Sequence, residues 1–344
     1  MPAISVPPLI LLSAGALLKR LTTVRPQEAK LTVGLDVGSS SIKVVALGSR
    51  KGTGPRPLVG HHIVPLTPGQ ETDASDAIKT AISGLHVPVR GVNLSVSGQW
   101  VIMRIVEMPA MKPGEIRQAL PFEAQRYLPF NIQDVIIDGA VLGSADAKKM
   151  WVLVVACKKE LIERRLDWTK RAGFEAALID VDAVAIANGF LAGNGHPGEG
   201  TRALINVGAQ LTSLVIFRGD TPYLVRDIPW GADKLVRNVA EQLGEEPAAV
   251  SAAFLQGAVS PEMKSAVKLA VESLVTELQL SFDYFENRFG QPPEEIFISG
   301  GLGQSGVFLE GLKGHLTQAI SAWEPVRGLS AQFAVAYGLA LRTE

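Results

Sequence analysis

The sequence predicts an α/β protein of two similar lobes, with a smaller α/β unit inserted into the first. Three observations carry that prediction. Residues 31–47, LTVGLDVGSSSIKVVAL, read as a strand, a tight turn and a returning strand with phosphate-binding chemistry in the turn. Residues 201–219, TRALINVGAQLTSLVIFRG, repeat the layout. Between the two runs lies a helix–strand–strand–helix–strand succession that belongs to neither hairpin.

In the first hairpin Asp36 ends one strand and Lys43 lies on the next. Gly38 lets the backbone approach a ligand closely, and Ser39, Ser40 and Ser41 add hydroxyls to a row of free N–H groups. Backbone N–H groups converging in a turn suit phosphate oxygens. A carboxylate beside them repels phosphate, so Asp36 points to a bridging Mg²⁺. Alone, the segment is equally an ordinary hairpin with a polar turn. The repeat shifts the balance: Asp36 aligns with Asn206, Gly38 with Gly208, Ser41 with Leu211, and Ile42-Lys43 with Thr212-Ser213. Ala209 and Gln210 complete the second turn.

Composition bounds the rest. The chain has 344 residues, enough for two domains with well-buried cores. Hydrophobic residues make up 47% and charged residues 19%, which excludes a disordered chain. A formal net charge of -1 gives no general attraction to nucleic acid. The single cysteine, Cys157, follows the apolar run WVLVVA and reads as a small buried residue in a reducing cytosol. The five histidines show no metal-ligand spacing.

Taken in order, residues 1–30 include PPLILLSAGALL, far short of the roughly 20 apolar residues that span a bilayer. They are expected to be a loosely held extension or an upstream start-site artefact, a peripheral membrane contact being the other reading. Residues 51–57 form a Gly/Pro turn region. Asp73 to Leu85 has helical spacing, with Asp73 or Ser75 as N-cap. GVNLSVSG and WVIMRIVEMP are strands expected to complete the first lobe, which takes in 31–103, 179–199 and 331–344.

The inserted unit, 104–178, opens with a helix that Pro121 interrupts and Pro129 ends. Strands DVIIDGAVLG and KMWVLVVACK follow, then the helix KELIERRLDWTKRAG and the strand FEAALIDV. Its charges, among them Arg164 and Arg165, read as solvated faces, and an insertion of this kind is a natural partner surface. Asp180 would end a strand facing the cleft, and Asp182 would cap the next helix. The loop GNGHPGEG (193–200) separates the lobes. The second lobe, 200–330, carries the turn Pro229-Trp230-Gly231-Ala232, one long helix from Ser260 to Phe289, and the strand EEIFISGG.

Gly301, Gly303 and Gly306 match G-x-G-x-x-G with a strand before and a helix after. Only residues 307–344 follow, too few to complete a dinucleotide-binding half. Gly300 and Gly301 are better read as bare backbone on which an adenine ring lies flat.

The combination of GLDVGSSSIKVV, INVGAQLTSLVI and the late ISGG strand resembles the actin-like ATPase superfamily. VIMRIVEMPAMKPGEIRQALPFEAQRYLPFNIQDVIIDGAVLG, RDIPWGADKL and FAVAYGLALR are similar to the PilM family of type IV pilus assembly, over residues 31–344. The resemblance implies duplicated ribonuclease-H-like lobes clasping ATP and Mg²⁺, with the insertion placed as in the cell-division actin homologue FtsA. It implies a partner, the cytosolic N-terminal tail of a PilN-like inner-membrane protein. It also implies contact with other pilus components and peripheral membrane association through them. Carried over, Asp36 would hold Mg²⁺ through water, Gly38 to Ser41 and Lys43 the phosphates, and Gly208 to Thr212 would clasp them from the other lobe. Gly231 lies where relatives bring backbone to phosphate, Glu277 and Ser281 are nucleoside-pocket candidates, and Asp180 matches a water-orienting position. The chain departs from the pattern at Asn206, where Asp is usual, and at Ala232, where a second Gly is common. Slow hydrolysis is therefore expected. Other readings are a small-molecule kinase of the same core, for which no acceptor-pocket signature exists, and a secretion-system scaffold that has lost nucleotide binding.

Overall fold

The structure, a computed structural model, describes residues 31–50, 55–67, 72–193 and 200–343. The readings of segment 1–30, of turn residues 51–54 and of loop residues 194–199 lie outside these.

Alternating apolar residues build the first sheet. Strands β1 (Leu31–Val37), β2 (Ser41–Gly48) and β3 (Leu58–Pro65) form an antiparallel meander, followed by helix α1 (Ser75–Ser83) and strand β4 (Gly91–Val96). The Asp73 carboxylate accepts the Ser75 N–H at 3.1 Å, fixing the turn into α1. β5 (Val101–Pro109), α2 (Pro113–Ala124), β6 (Val135–Ser144) and β7 (Lys149–Lys158) come next, then α3 (Lys159–Arg171), β8 (Glu175–Val181) and α4 (Asp182–Gly193). The first sheet runs β3-β2-β1-β4-β8, with β4 and β8 parallel to β1.

The second lobe repeats it. β9 (Thr201–Val207), β10 (Thr212–Arg218) and β11 (Thr221–Ile228) form the meander, and helices α5 (Ala232–Leu243), α6 (Pro247–Gln256), α7 (Pro261–Ala270) and α8 (Glu272–Phe289) follow. β12 (Glu295–Gly300), α9 (Gly306–Lys313) and β13 (Ala319–Ala322) complete a sheet of order β11-β10-β9-β12-β13, with the same pattern of strand directions. Only one parallel crossover, β12–α9–β13, surrounds the Gly301–Gly306 motif, so the dinucleotide reading has no βαβ series to stand on. The expected single helix 260–289 is divided at Val271 into α7 and α8; Ser260 caps it, its hydroxyl accepting the Met263 N–H at 3.1 Å.

Helix α10 (Ala334–Leu341) returns the C-terminus to the first lobe. It is apolar all round and buried from Ala334 to Ala340 against β1, β2 and α4. Gly338 permits this, since a Cβ there would lie 1.8 Å from the Ala185 carbonyl of α4. The Asn93 amide donates to the Leu339 and Arg342 carbonyls at 2.9 and 3.0 Å, satisfying groups that a helix C-terminus leaves free.

The insertion differs from expectation at both ends. β5 pairs with β7 in a separate antiparallel sheet, β5-β7-β6, instead of completing the first lobe. Strand alternation explains its placement: Val152 and Val154 face α2, while Leu153, Val155 and Cys157 join the main core. Burial pushes the Cys157 thiol up to about 12, as suits an inert core residue. α3 and β8, read as part of the insertion, belong to the first lobe: β8 pairs with β4, and Leu161, Ile162 and Trp168 of α3 enter the first-lobe core. Pro121 lies within α2, near its end, and does not interrupt it. Trp151 of β7 packs edge-on against Tyr223 and Phe289, so the insertion also rests on the second lobe.

Candidate functional site

The two hairpins close alike. Gly38 N–H donates to Ser41 O at 3.2 Å and Gly208 N–H to Leu211 O at 2.9 Å. The registers correspond too, with Asp36 opposite Lys43 and Asn206 opposite Ser213. Strand pairing thus fixes an acid–base couple in the first lobe and a neutral couple in the second.

Both turns face one cleft of about 460 Å³, within the range of small-molecule sites. Asp36, Gly38, Ser39, Ser40 and Lys43 line it from the first lobe; Asn206, Gly208, Ala209, Gln210, Gly300 and Gly301 line it from the second. Lys43 Nζ lies 3.3 Å from Asp36 Oδ2. Asn206 Oδ1 accepts from the Ser299 hydroxyl at 3.1 Å. Gly300 has φ +86, and a Cβ there would lie 2.3 Å from Val207 O, so only glycine brings the β12 end this close to β9.

Other predicted residues lie elsewhere. Asp180 is fully buried and faces away from the cleft: Oδ1 accepts the Val181 N–H at 2.8 Å and Oδ2 lies 3.5 Å from Arg342 Nε. Ser41 is buried at the base of its hairpin, and the Thr212 hydroxyl donates to Trp230 O at 2.7 Å. Glu277 and Ser281 are engaged by Arg226 of β11, at 2.5 and 3.0 Å, and do not line the cleft. Gly231 lines an adjoining hollow of about 260 Å³ with Ala209, Gln210, Lys234 and Arg237. Its backbone lies against Ala209, and the Ala232 and Asp233 N–H groups donate to Gly208 O and Ala209 O at 2.9 Å. The start of α5 therefore braces the second turn.

Several residues in the cleft wall, and one that braces it, Asp227, had no site role in the sequence reading. Asp182 lines the cleft where Asp180 was expected, because β8 ends at Val181 and the first residue of α4 turns inward. Burial, then the neighbouring Asp36 carboxylate, push Asp182 up to about 6, against hydrogen bonds from Ser95 and Ser97. Asp227 of β11 accepts from the Ser213 hydroxyl at 2.8 Å and from Gly98 N–H at 3.0 Å, joining the second lobe to the loop between β4 and β5. Arg164, Arg165 and Trp168 of α3 and Trp100 complete the wall. Arg164 is exposed as expected but borders the cleft, while Arg165 is partly buried and is not simply part of a solvated face.

This donor set suits a nucleotide polyphosphate: two glycine-bearing turns, a lysine and bare backbone at Gly300-Gly301. Among the described residues no cluster of three or more His, Cys, Asp or Glu is placed to hold a metal. That is compatible with Mg²⁺, which is commonly held by one or two carboxylates plus substrate phosphates and water.

Two lobes of one topology, each presenting a strand–turn–strand to a shared cleft, define an actin-like ATPase fold. The family model described as type IV pilus assembly protein PilM matches residues 34–344, and the chain belongs to that family. The solved structure of a PilM–PilN type IV pilus biogenesis complex is similar over 90% of this chain and 97% of that one, with TM-score 0.79 and 24% identity. The ethanolamine utilization protein EutJ from Carboxydothermus hydrogenoformans is similar over 93% of this chain and 91% of its own, with TM-score 0.56 and 12% identity. Both likenesses are of fold.

Proposed function

We propose that this actin-like pilus assembly protein is a nucleotide-dependent adaptor that binds ATP with Mg²⁺ between its lobes. The observation that carries the reading is the pair of matched hairpins around one cleft. Asp36 would hold Mg²⁺ through water, and Lys43 with the Gly38–Ser40 N–H groups would take the phosphates. The Gly208–Gln210 turn would close on them from the other side, and the purine would lie on Gly300-Gly301. Mg²⁺ would supply charge neutralisation between the phosphate oxygens.

Hydrolysis would be slow. Asn206 offers an amide oxygen but no second negative charge opposite Asp36, so the second lobe contributes little to holding the metal or orienting water. Asp182, in the cleft, is the carboxylate left for positioning water, in place of Asp180. Asn206→Asp should raise phosphate release several-fold while changing ATP affinity less. Turnover in wild type of about 1–100 s⁻¹, the range of kinases, or no response to the substitution, would count against this.

The partner half of the proposal is the cytosolic N-terminal tail of a PilN-like inner-membrane protein, held near the insertion, with other pilus components beyond it. Family membership and the fold shared with the PilM–PilN complex support it. The protein would then work at the inner face of the cytoplasmic membrane through its partners; no described helix is long and apolar enough to cross one. Immobilised tail peptide should retain the full chain, and Mg-ATP should change the amount retained. Absence of capture with and without nucleotide would remove the partner assignment.

A second reading is favoured by the Lys43–Asp36 ion pair and the neutral Asn206. It is a pilus or secretion scaffold of this fold that no longer binds nucleotide.

A further inference from the structure

The cleft wall supplied by α3 has no role in the reading above, although it brings a guanidinium to the end of β1. Arg165 Nη2 donates to the Val37 carbonyl at 3.0 Å, one residue before the Gly38 turn. Its Nε is buried without a hydrogen-bond partner. Leaving a buried donor unmade costs on the order of 1–3 kcal/mol, so such a group is usually matched by something else. The guanidinium carbon lies 5.2 Å from the Trp168 ring, which supports the side chain from below.

The surrounding charges narrow what that something is. Asp36 and Asp182 attract Arg165, yet no ion pair joins it to either among the described residues. A guanidinium serving only to neutralise those carboxylates would close on one of them. Lys43, the cation of the first hairpin, is already paired with Asp36. Arg165 is therefore a cation in the cleft wall with a donor, Nε, that no described residue accepts from. A guanidinium presents a rigid planar fork that matches phosphate oxygens two at a time.

We infer that Arg165 is a further phosphate-binding residue of the cleft, contacting the polyphosphate of a nucleoside di- or triphosphate beside the Gly38 turn. The inference rests on the nucleotide reading of the same cleft. Because α3 follows β7 without a break, a ligand held by Arg165 also loads the strand at the centre of the insertion.

The test is calorimetric titration of the full chain and its Arg165→Gln variant with Mg-ATP, Mg-ADP and adenosine, with thermal melting as a folding control. ATP affinity should fall roughly tenfold or more, as for loss of a hydrogen bond to a charged group. ADP affinity should fall also, and adenosine affinity should stay unchanged. Equal losses for all three ligands would mean that Arg165 only braces the Val37 turn, and unchanged ATP affinity would remove it from the site; either overturns the inference alone. Wild type failing to bind all three would overturn the nucleotide reading and this inference with it. If Arg165→Gln does not fold, Arg165→Lys decides. It keeps the charge but lacks the fork, so the ATP-over-adenosine preference should shrink several-fold, and an undiminished preference would overturn the assignment.

Discussion

Asp180 and Asp182 are two residues apart and face different surroundings. Asp180 lies fully inside the first lobe, its only charged neighbour in ion-pair range among the described residues being Arg342 at 3.5 Å. Burial pushes its carboxyl up to about 6, more than Arg342 and the Val181 N–H pull it down. The folded protein therefore binds more protons than the unfolded chain between about pH 4 and 6, and stability falls as pH rises through that window. The shift corresponds to about 3 kcal/mol once the group is ionised. Asp180→Asn keeps the acceptor for Val181 and removes the ionisation, so its stability relative to wild type should improve by about that amount between pH 4 and 7. Denaturant midpoints at the two pH values measure it. A gap independent of pH would mean that Arg342 already compensates the charge.

Elements were legible in the sequence where a period and a punctuating turn coincide. The hairpins met that condition, and the positions their alignment matched, Asp36 with Asn206 and Lys43 with Ser213, sit at corresponding places in the two registers, although the cross-strand pairing itself was visible only in the structure. Where a strand runs straight into a helix, as at Val181 to Asp182, alternation does not say which acid turns inward. Helical spacing located Glu277 and Ser281 on one helix, but their partner Arg226 is on a strand far away in sequence, and it takes them out of the cleft. Adjacency in sequence likewise assigned α3 to the insertion, whereas Leu161, Ile162 and Trp168 bury against the first lobe. Arg165 escapes the sequence for the same reason: the polar face of an amphipathic helix looks solvated, as Arg164 indeed is, until the opposite wall is known.

At the scale of the whole molecule, the lobes meet through more than the cleft. Phe190 of α4 is fully buried against Phe217, Phe297 and Trp323 of the second lobe, with ring centroids 5.7, 5.0 and 5.5 Å away. That cluster is an apolar contact between the lobes, made by residues that do not line the polar cleft. Asp227 ties the second lobe to Gly98, at the root of the insertion, and Trp151 packs the insertion on Tyr223 and Phe289. Movement of one lobe on the other would therefore be felt by the insertion, which is the property an adaptor needs. All of this has functional meaning only if a nucleotide occupies the cleft through both hairpins. The direct measurement is calorimetric titration of the full chain with Mg-ATP, repeated on Lys43→Ala. One ATP should bind per chain, and more weakly in the variant, because a point charge on the phosphates is lost. No detectable heat and no competition by ATP in wild type, or equal affinity in Lys43→Ala, would contradict it.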